Sequence, residues 1–115
     1  MPANIPSETE FRTVPELCEL WGLTPSKLHR LVEDHHLAAV RVGGVLKVPA
    51  EFVRDDGPLN SLRGTLLALL DAGFSDDEAV AWLLAPNEEL DERPIDALNA
   101  GRKSAVRRAT QALAF

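Results

Sequence analysis

Two helix starts of the same kind stand eleven residues apart, with one glycine between them. Thr13-Val14-Pro15-Glu16 is a capping box: a threonine N-cap, a proline in the first turn and a glutamate three residues on. Val14, Leu17, Cys18 and Leu20 or Trp21 then recur at helical spacing. Gly22 supplies the stop. Thr24-Pro25-Ser26 opens a second helix by the same device, with Leu28, Leu31 and Val32 on its apolar face. Two short helices joined by so brief a glycine-containing turn are confined to the helix-turn-helix arrangement. Leu37 to Val42 and Val45 to Val48 follow as β-type runs around Gly43-Gly44. Both glycines can adopt positive φ, so the pair predicts a tight hairpin. Pro49 ends the second run, and Ala50 to Arg54 is compatible with a helical turn. Helix, turn, helix and hairpin in that order spell a winged helix-turn-helix.

Asp55-Asp56-Gly57-Pro58 reads as a break. Beyond it the chain is helical. Leu62, Leu66, Leu67, Leu69 and Leu70 form an apolar helix that stops at Gly73. Ser75-Asp76-Asp77-Glu78 is a second capping box, and its acids favour a helix N-terminus. That helix runs to Pro86. A loop over Asn87 to Arg93, a short helix over Pro94 to Leu98 and a last helix over Ser104 to Leu113 complete the chain. Trp21 and Trp82 share helical spacing with leucines and belong to the core or its edge. The predicted class is α+β, mostly α. A winged helix-turn-helix over 11–56 precedes a helical bundle over 57–115 that packs on it, because about 45 residues alone bury little surface. Residues 1–10 show no periodicity and read as a flexible tail.

Composition narrows the function. The 115 residues are 45% hydrophobic and 26% charged, a globular balance. No apolar run reaches the roughly 18 to 20 residues of a membrane span, and no secretory signal is visible, so the expectation is a cytoplasmic protein with no membrane partner. Cys18 is the single cysteine, which leaves no intrachain disulfide and no cysteine cluster for zinc. His35 and His36 are adjacent and cannot share a helix face. The acids Glu88, Glu89, Asp91 and Glu92 lack calcium-loop spacing. No metal or cofactor is expected. No nucleophile elbow or phosphate-cradling glycine loop is present, so the chain does not read as an enzyme.

The net charge of −6 argues at first against a polyanionic partner. Its distribution argues the other way. Thr24 to Val48 holds four bases and two acids, and Gly101 to Phe115 holds four bases and no acid. Asp71 to Asp96 concentrates nine acids with one base. In a helix-turn-helix the early residues of the second helix meet base edges. Here these are Ser26, Lys27, His29 and Arg30. Lysine and arginine suit guanine, and serine suits almost any edge. Arg41 and Lys47 flank the hairpin for phosphate or minor-groove contact, and Gly43 and Gly44 let the backbone approach closely. The alternative is a solvated surface on a protein-binding module. The basic helix with Arg102, Lys103, Arg107 and Arg108 can pair with the acidic segment, touch phosphate or serve a protein partner. In the tail, Ser7 and Thr9 are candidate phosphorylation sites, and added phosphate there would repel DNA.

The stretch from Thr13 through Trp21-Gly22-Leu23-Thr24-Pro25-Ser26-Lys27-Leu28-His29-Arg30 to Gly43-Gly44 and Val48-Pro49 resembles the excisionase and MerR-type winged helix-turn-helix. Gly73-Phe74-Ser75, Ala81-Trp82-Leu83-Leu84-Ala85-Pro86-Asn87, Arg93-Pro94-Ile95-Asp96-Ala97-Leu98 and Val106-Arg107-Arg108-Ala109 resemble the helical domain that follows the DNA-binding module in some antitoxins. The whole is similar to a small actinobacterial family of winged-helix DNA-binding proteins related to a mycobacterial protein-kinase substrate. The resemblance implies DNA as the partner, in transcriptional or nucleoid regulation, and a regulatory link to a Ser/Thr protein kinase. It leaves open an antitoxin-like role in which the C-terminal helices grip a protein partner.

Overall fold

The computed structural model describes residues 4–113. The first element is a short strand, β1 (Phe11–Thr13), which the sequence reading lacks. Thr13 ends it and caps helix α1 (Val14–Trp21). The capping box is complete: Glu16 N–H donates to the Thr13 hydroxyl at 3.3 Å, and Thr13 N–H donates to the Glu16 carboxylate at 2.9 Å. Gly22 closes α1 in the left-handed conformation, φ 65°. Thr24 caps α2 (Pro25–Glu33), where Lys27 N–H donates to its hydroxyl. His35, at φ 62°, turns the chain out of α2.

The hairpin is β2 (Val40–Val42) and β3 (Val45–Pro49), in register Val42↔Val45 and Val40↔Lys47. Gly43 and Gly44 sit at φ 60° and 80°, as a two-residue turn of this type requires. The first strand is shorter than the apolar run suggests. Leu37, Ala38 and Ala39 are buried but do not pair with β3, where the ladder with β2 ends at Val40↔Lys47. That other side is β1, giving the antiparallel order β1-β3-β2.

A single 3-10 turn (Ala50–Phe52) follows. Where the sequence suggests a plain break, Val53–Arg54 (β4) and Gly57–Pro58 (β5) form a second small hairpin with Asp55-Asp56 at its tip. Then come α3 (Leu62–Asp71), α4 (Asp76–Leu84), α5 (Pro94–Asn99) and α6 (Lys103–Gln111). Ser75 and Glu78 complete the second capping box.

One hydrophobic cluster joins the two halves. It draws Leu17, Leu28, Val40, Val48 and Phe52 together with Leu62, Leu69, Val80, Leu83, Ile95 and Val106. Arg93 fastens the same junction from outside. Its guanidinium donates to Glu51 on the 3-10 turn, at 2.9 Å for Nη1, and to Asp96 on α5, at 2.8 Å for Nε. These bonds hold the Asp96 carboxyl below the usual range.

The expectation of a flexible tail over 1–10 fails for residues 4–10. Ile5 is 7% exposed and belongs to the core cluster. Ala50 N–H donates to the Glu10 carbonyl at 2.9 Å, continuing the β1–β3 ladder. A strand partner and one buried isoleucine hold this segment, and neither is a periodic signal. Residues 1–3 of that expectation lie outside the described residues.

Candidate nucleic-acid interface

The second helix presents its polar side outward. Leu28 is 1% exposed and anchors α2, while Ser26, Lys27, His29 and Arg30 are all exposed. Ser26, His29 and Arg30 share one face at spacings of three and four. Lys27 and Arg30 turn toward a cleft of about 510 Å³ between α2 and the β4–β5 hairpin. Trp21, Leu23 and Leu31 give that cleft its apolar floor. The Trp21 ring is fixed by Nε1–H donating to the Arg54 carbonyl at 2.7 Å. Asp34 and Asp56 line the same cleft, so the two cations there stand within an acidic margin.

The hairpin residues separate. Side chains alternate between faces along a strand. Arg41 opposes Leu46, whereas Lys47 opposes Val40 on β2 and Thr13 on β1. Arg41 and Lys47 therefore occupy opposite faces of the sheet. Arg41 is exposed, and its Nη1 donates to the Gly44 carbonyl at 3.3 Å, bracing the turn. Lys47 is half-buried and lies near Glu16. The Thr13 N–H and hydroxyl hold the Glu16 carboxyl below its ordinary range, and Arg12 and Lys47 add a weaker electrostatic pull.

Arg12 is the cation that sequence reasoning missed. From β1 it opposes Val48 of β3, and so stands on the same sheet face as Arg41. Its only signal is a three-residue alternation, Phe11-Arg12-Thr13, too short to read as a strand before its partner is known. Of the basic C-terminal residues, Arg102 pairs with Glu92, as the charge segregation allows. Lys103, Arg107 and Arg108 make no ion pair among the described residues. Ser7 is exposed and Thr9 is half-buried, with its N–H donating to the Pro6 carbonyl.

Comparison with known proteins places this architecture. Residues 3–53 match the family described as "DNA-binding protein Rv2175c, wHTH domain", and residues 59–114 match the "Rv2175c C-terminal domain of unknown function". The "DNA-binding protein Rv2175c" of Mycobacterium tuberculosis (strain ATCC 25618 / H37Rv) is 34% identical across 89% of this chain and 79% of that protein. The chain belongs to the Rv2175c family. The NMR structure of Rv2175c superposes on it with a TM-score of 0.83 at 30% identity, covering 100% of this chain and 94% of that one. The winged helix-turn-helix and the Rv2175c C-terminal helices are thus one shared architecture, with the family boundary falling between Val53 and Leu59.

Proposed function

We propose that this chain is a DNA-binding protein acting in transcriptional or nucleoid regulation. The observation that carries the reading is α2. A threonine-capped helix of the winged helix-turn-helix displays Ser26, Lys27, His29 and Arg30 to solvent at the positions that meet base edges. Its Rv2175c relative bears a DNA-binding name, and the Gly43-Gly44 turn supplies a wing beside the helix. Lys27, His29 and Arg30 reach into the groove. Ser26 and Arg41 position the backbone, Lys47 adds less from the opposite sheet face, and the bare Gly43-Gly44 turn approaches it closely. Phosphate contacts supply most of the affinity and base contacts the selectivity. A phosphate added at Ser7 or Thr9 by a Ser/Thr protein kinase would place two more negative charges beside Glu8 and Glu10 and weaken that binding.

The test is a fluorescence-anisotropy titration of a labelled duplex with the native chain and with Lys27→Glu/Arg30→Glu. Binding that is lost in the double variant, with an unchanged melting temperature, supports the reading. Duplex binding that survives the double variant overturns the role of α2.

A further inference from the structure

The segment that carries α2 is held at both ends from outside the helix-turn-helix. Trp21 ends α1 and opens the turn into α2. Its Nε1–H donates to the Arg54 carbonyl on β4 at 2.7 Å. The Arg54 guanidinium in turn donates from Nη2 to the side-chain oxygen of Asn99, the last residue of α5. At the other end, Asp34 is the C-cap of α2. Its carbonyl accepts from Nε of Arg63, in the first turn of α3, at 3.0 Å. Leu31 and His36 at that end border one small space together with Leu59, Asn60 and Arg63, so the start of α3 lies against it.

Helix α2 has nine residues, and Leu28 is its one fully buried side chain. Its helix packing comes mainly from α1, and its outward face is polar. A short helix anchored through one side chain keeps a fixed tilt only if its ends are fixed too. The last carbonyls of a helix have no partner within it. A cation at that end also meets the negative pole of the helix dipole. Arg63 brings both the donor and the charge, and among the described residues it makes no ion pair that would draw it elsewhere.

We propose, resting on the reading of α2 as the helix that meets base edges, that the C-terminal domain fixes the orientation of α2 for DNA, and that Arg63 is the positioning residue at its far end. Arg63 acts through the Asp34 carbonyl and not on the duplex itself. Asn99, through Arg54 and Trp21, does the same for the turn that enters α2. Without these ties α2 samples other tilts, and a duplex then selects the held orientation from a mixture. The apparent affinity falls with the fraction held. The free energy of the lost bond sets the ceiling on that fall.

The experiment compares the full chain with Arg63→Met, which keeps the aliphatic stem but removes donor and charge, and with Arg63→Lys, which restores a cationic donor. Duplex affinity is read by anisotropy at several salt concentrations. Hydrogen exchange is read at the amides of Asp34 and His36, which close the end of α2 onto the Arg30 and Leu31 carbonyls. Arg63→Met is expected to weaken duplex binding about fivefold, the scale of one exposed hydrogen bond. Exchange at Asp34 and His36 quickens by a similar factor, while the amides of α4 keep their native rates. The salt slope stays at the native value, because no phosphate contact is lost. Arg63→Lys recovers most of both effects. Asn99→Ala shifts the Trp21 indole N–H resonance and deepens the loss of affinity when combined with Arg63→Met. A slope shallower by about 0.9 in Arg63→Met makes Arg63 a phosphate contact and overturns its positioning role. Faster exchange throughout the chain makes it a staple of the whole fold and overturns that role equally. Native exchange at Asp34 and His36 in Arg63→Met overturns it whatever the duplex result. If the native chain binds no duplex, the DNA reading fails by itself, and the exchange comparison still decides whether Arg63 holds α2.

Discussion

The charges of the interface set a measurable salt dependence. Each phosphate neutralised on B-DNA contributes about −0.9 to the slope of log K against log salt. Lys27, Arg30 and Arg41 are exposed and free of ion pairs among the described residues, while Lys47 is half-buried beside Glu16. Three full contacts give a slope of about −2.7, so raising salt from about 50 to about 200 mM weakens binding roughly 40-fold. The decisive comparison is between two single changes on the same hairpin. Arg41→Gln removes one contact and brings the slope to about −1.8, with a loss of about 1 kcal/mol at physiological salt. Lys47→Gln removes a half-buried charge on the opposite sheet face, with Glu16 nearby, so it leaves the slope nearly at the native value. Anisotropy titrations at four salt concentrations resolve that difference. A native slope near zero refutes the phosphate-dominated interface. Equal slope changes for Arg41→Gln and Lys47→Gln refute the argument that opposite sheet faces and the Glu16 neighbour divide their roles.

Stability should respond at three places. Arg93→Met severs the link from Glu51 to Asp96 and leaves both carboxylates without their shared partner. With the side chains about a third exposed or more, the loss is about 1 kcal/mol, a fall of about 4 °C in melting temperature by calorimetry. Glu16, Glu78 and Asp96 all have carboxyls held below their ordinary range: the two glutamates by the N–H and hydroxyl of their cap residues, and Asp96 by Arg93. A depressed folded-state value gives stability that is fully present above the unfolded value and lost as pH falls through the folded one. Chemical denaturation should therefore show a plateau above about pH 5 and a decline below about pH 4, with the decline smaller in Arg93→Met. Ile5→Ala should cost about 2 kcal/mol in urea unfolding, because Ile5 is buried in the core; a change below about 0.5 kcal/mol would restore the tail to solvent.

What was legible in the sequence was local. Thr13 with Glu16, and Ser75 with Glu78, announce their helices because a capping box closes within four residues. Gly43-Gly44 announces the hairpin because its turn needs positive φ at both positions. What was not legible depends on partners far along the chain. β1 is a strand only because β3 lies beside it, Ile5 is core only because the whole cluster closes over it, and Arg93 meets Glu51 across 42 positions. The same distinction governs charge. Counted along the chain, the acids outnumber the bases and argue against DNA. In the fold, Glu51 and Asp96 are spent on Arg93, Glu92 on Arg102, and Glu16 and Glu78 on helix starts. The three acids paired with arginine no longer oppose a polyanion at full strength, whereas Lys27, Arg30 and Arg41 have no such ion pairs among the described residues. A net of −6 is therefore compatible with a phosphate-facing surface, because the quantity that acts on a nearby phosphate is the local unpaired charge and not the sum over the chain.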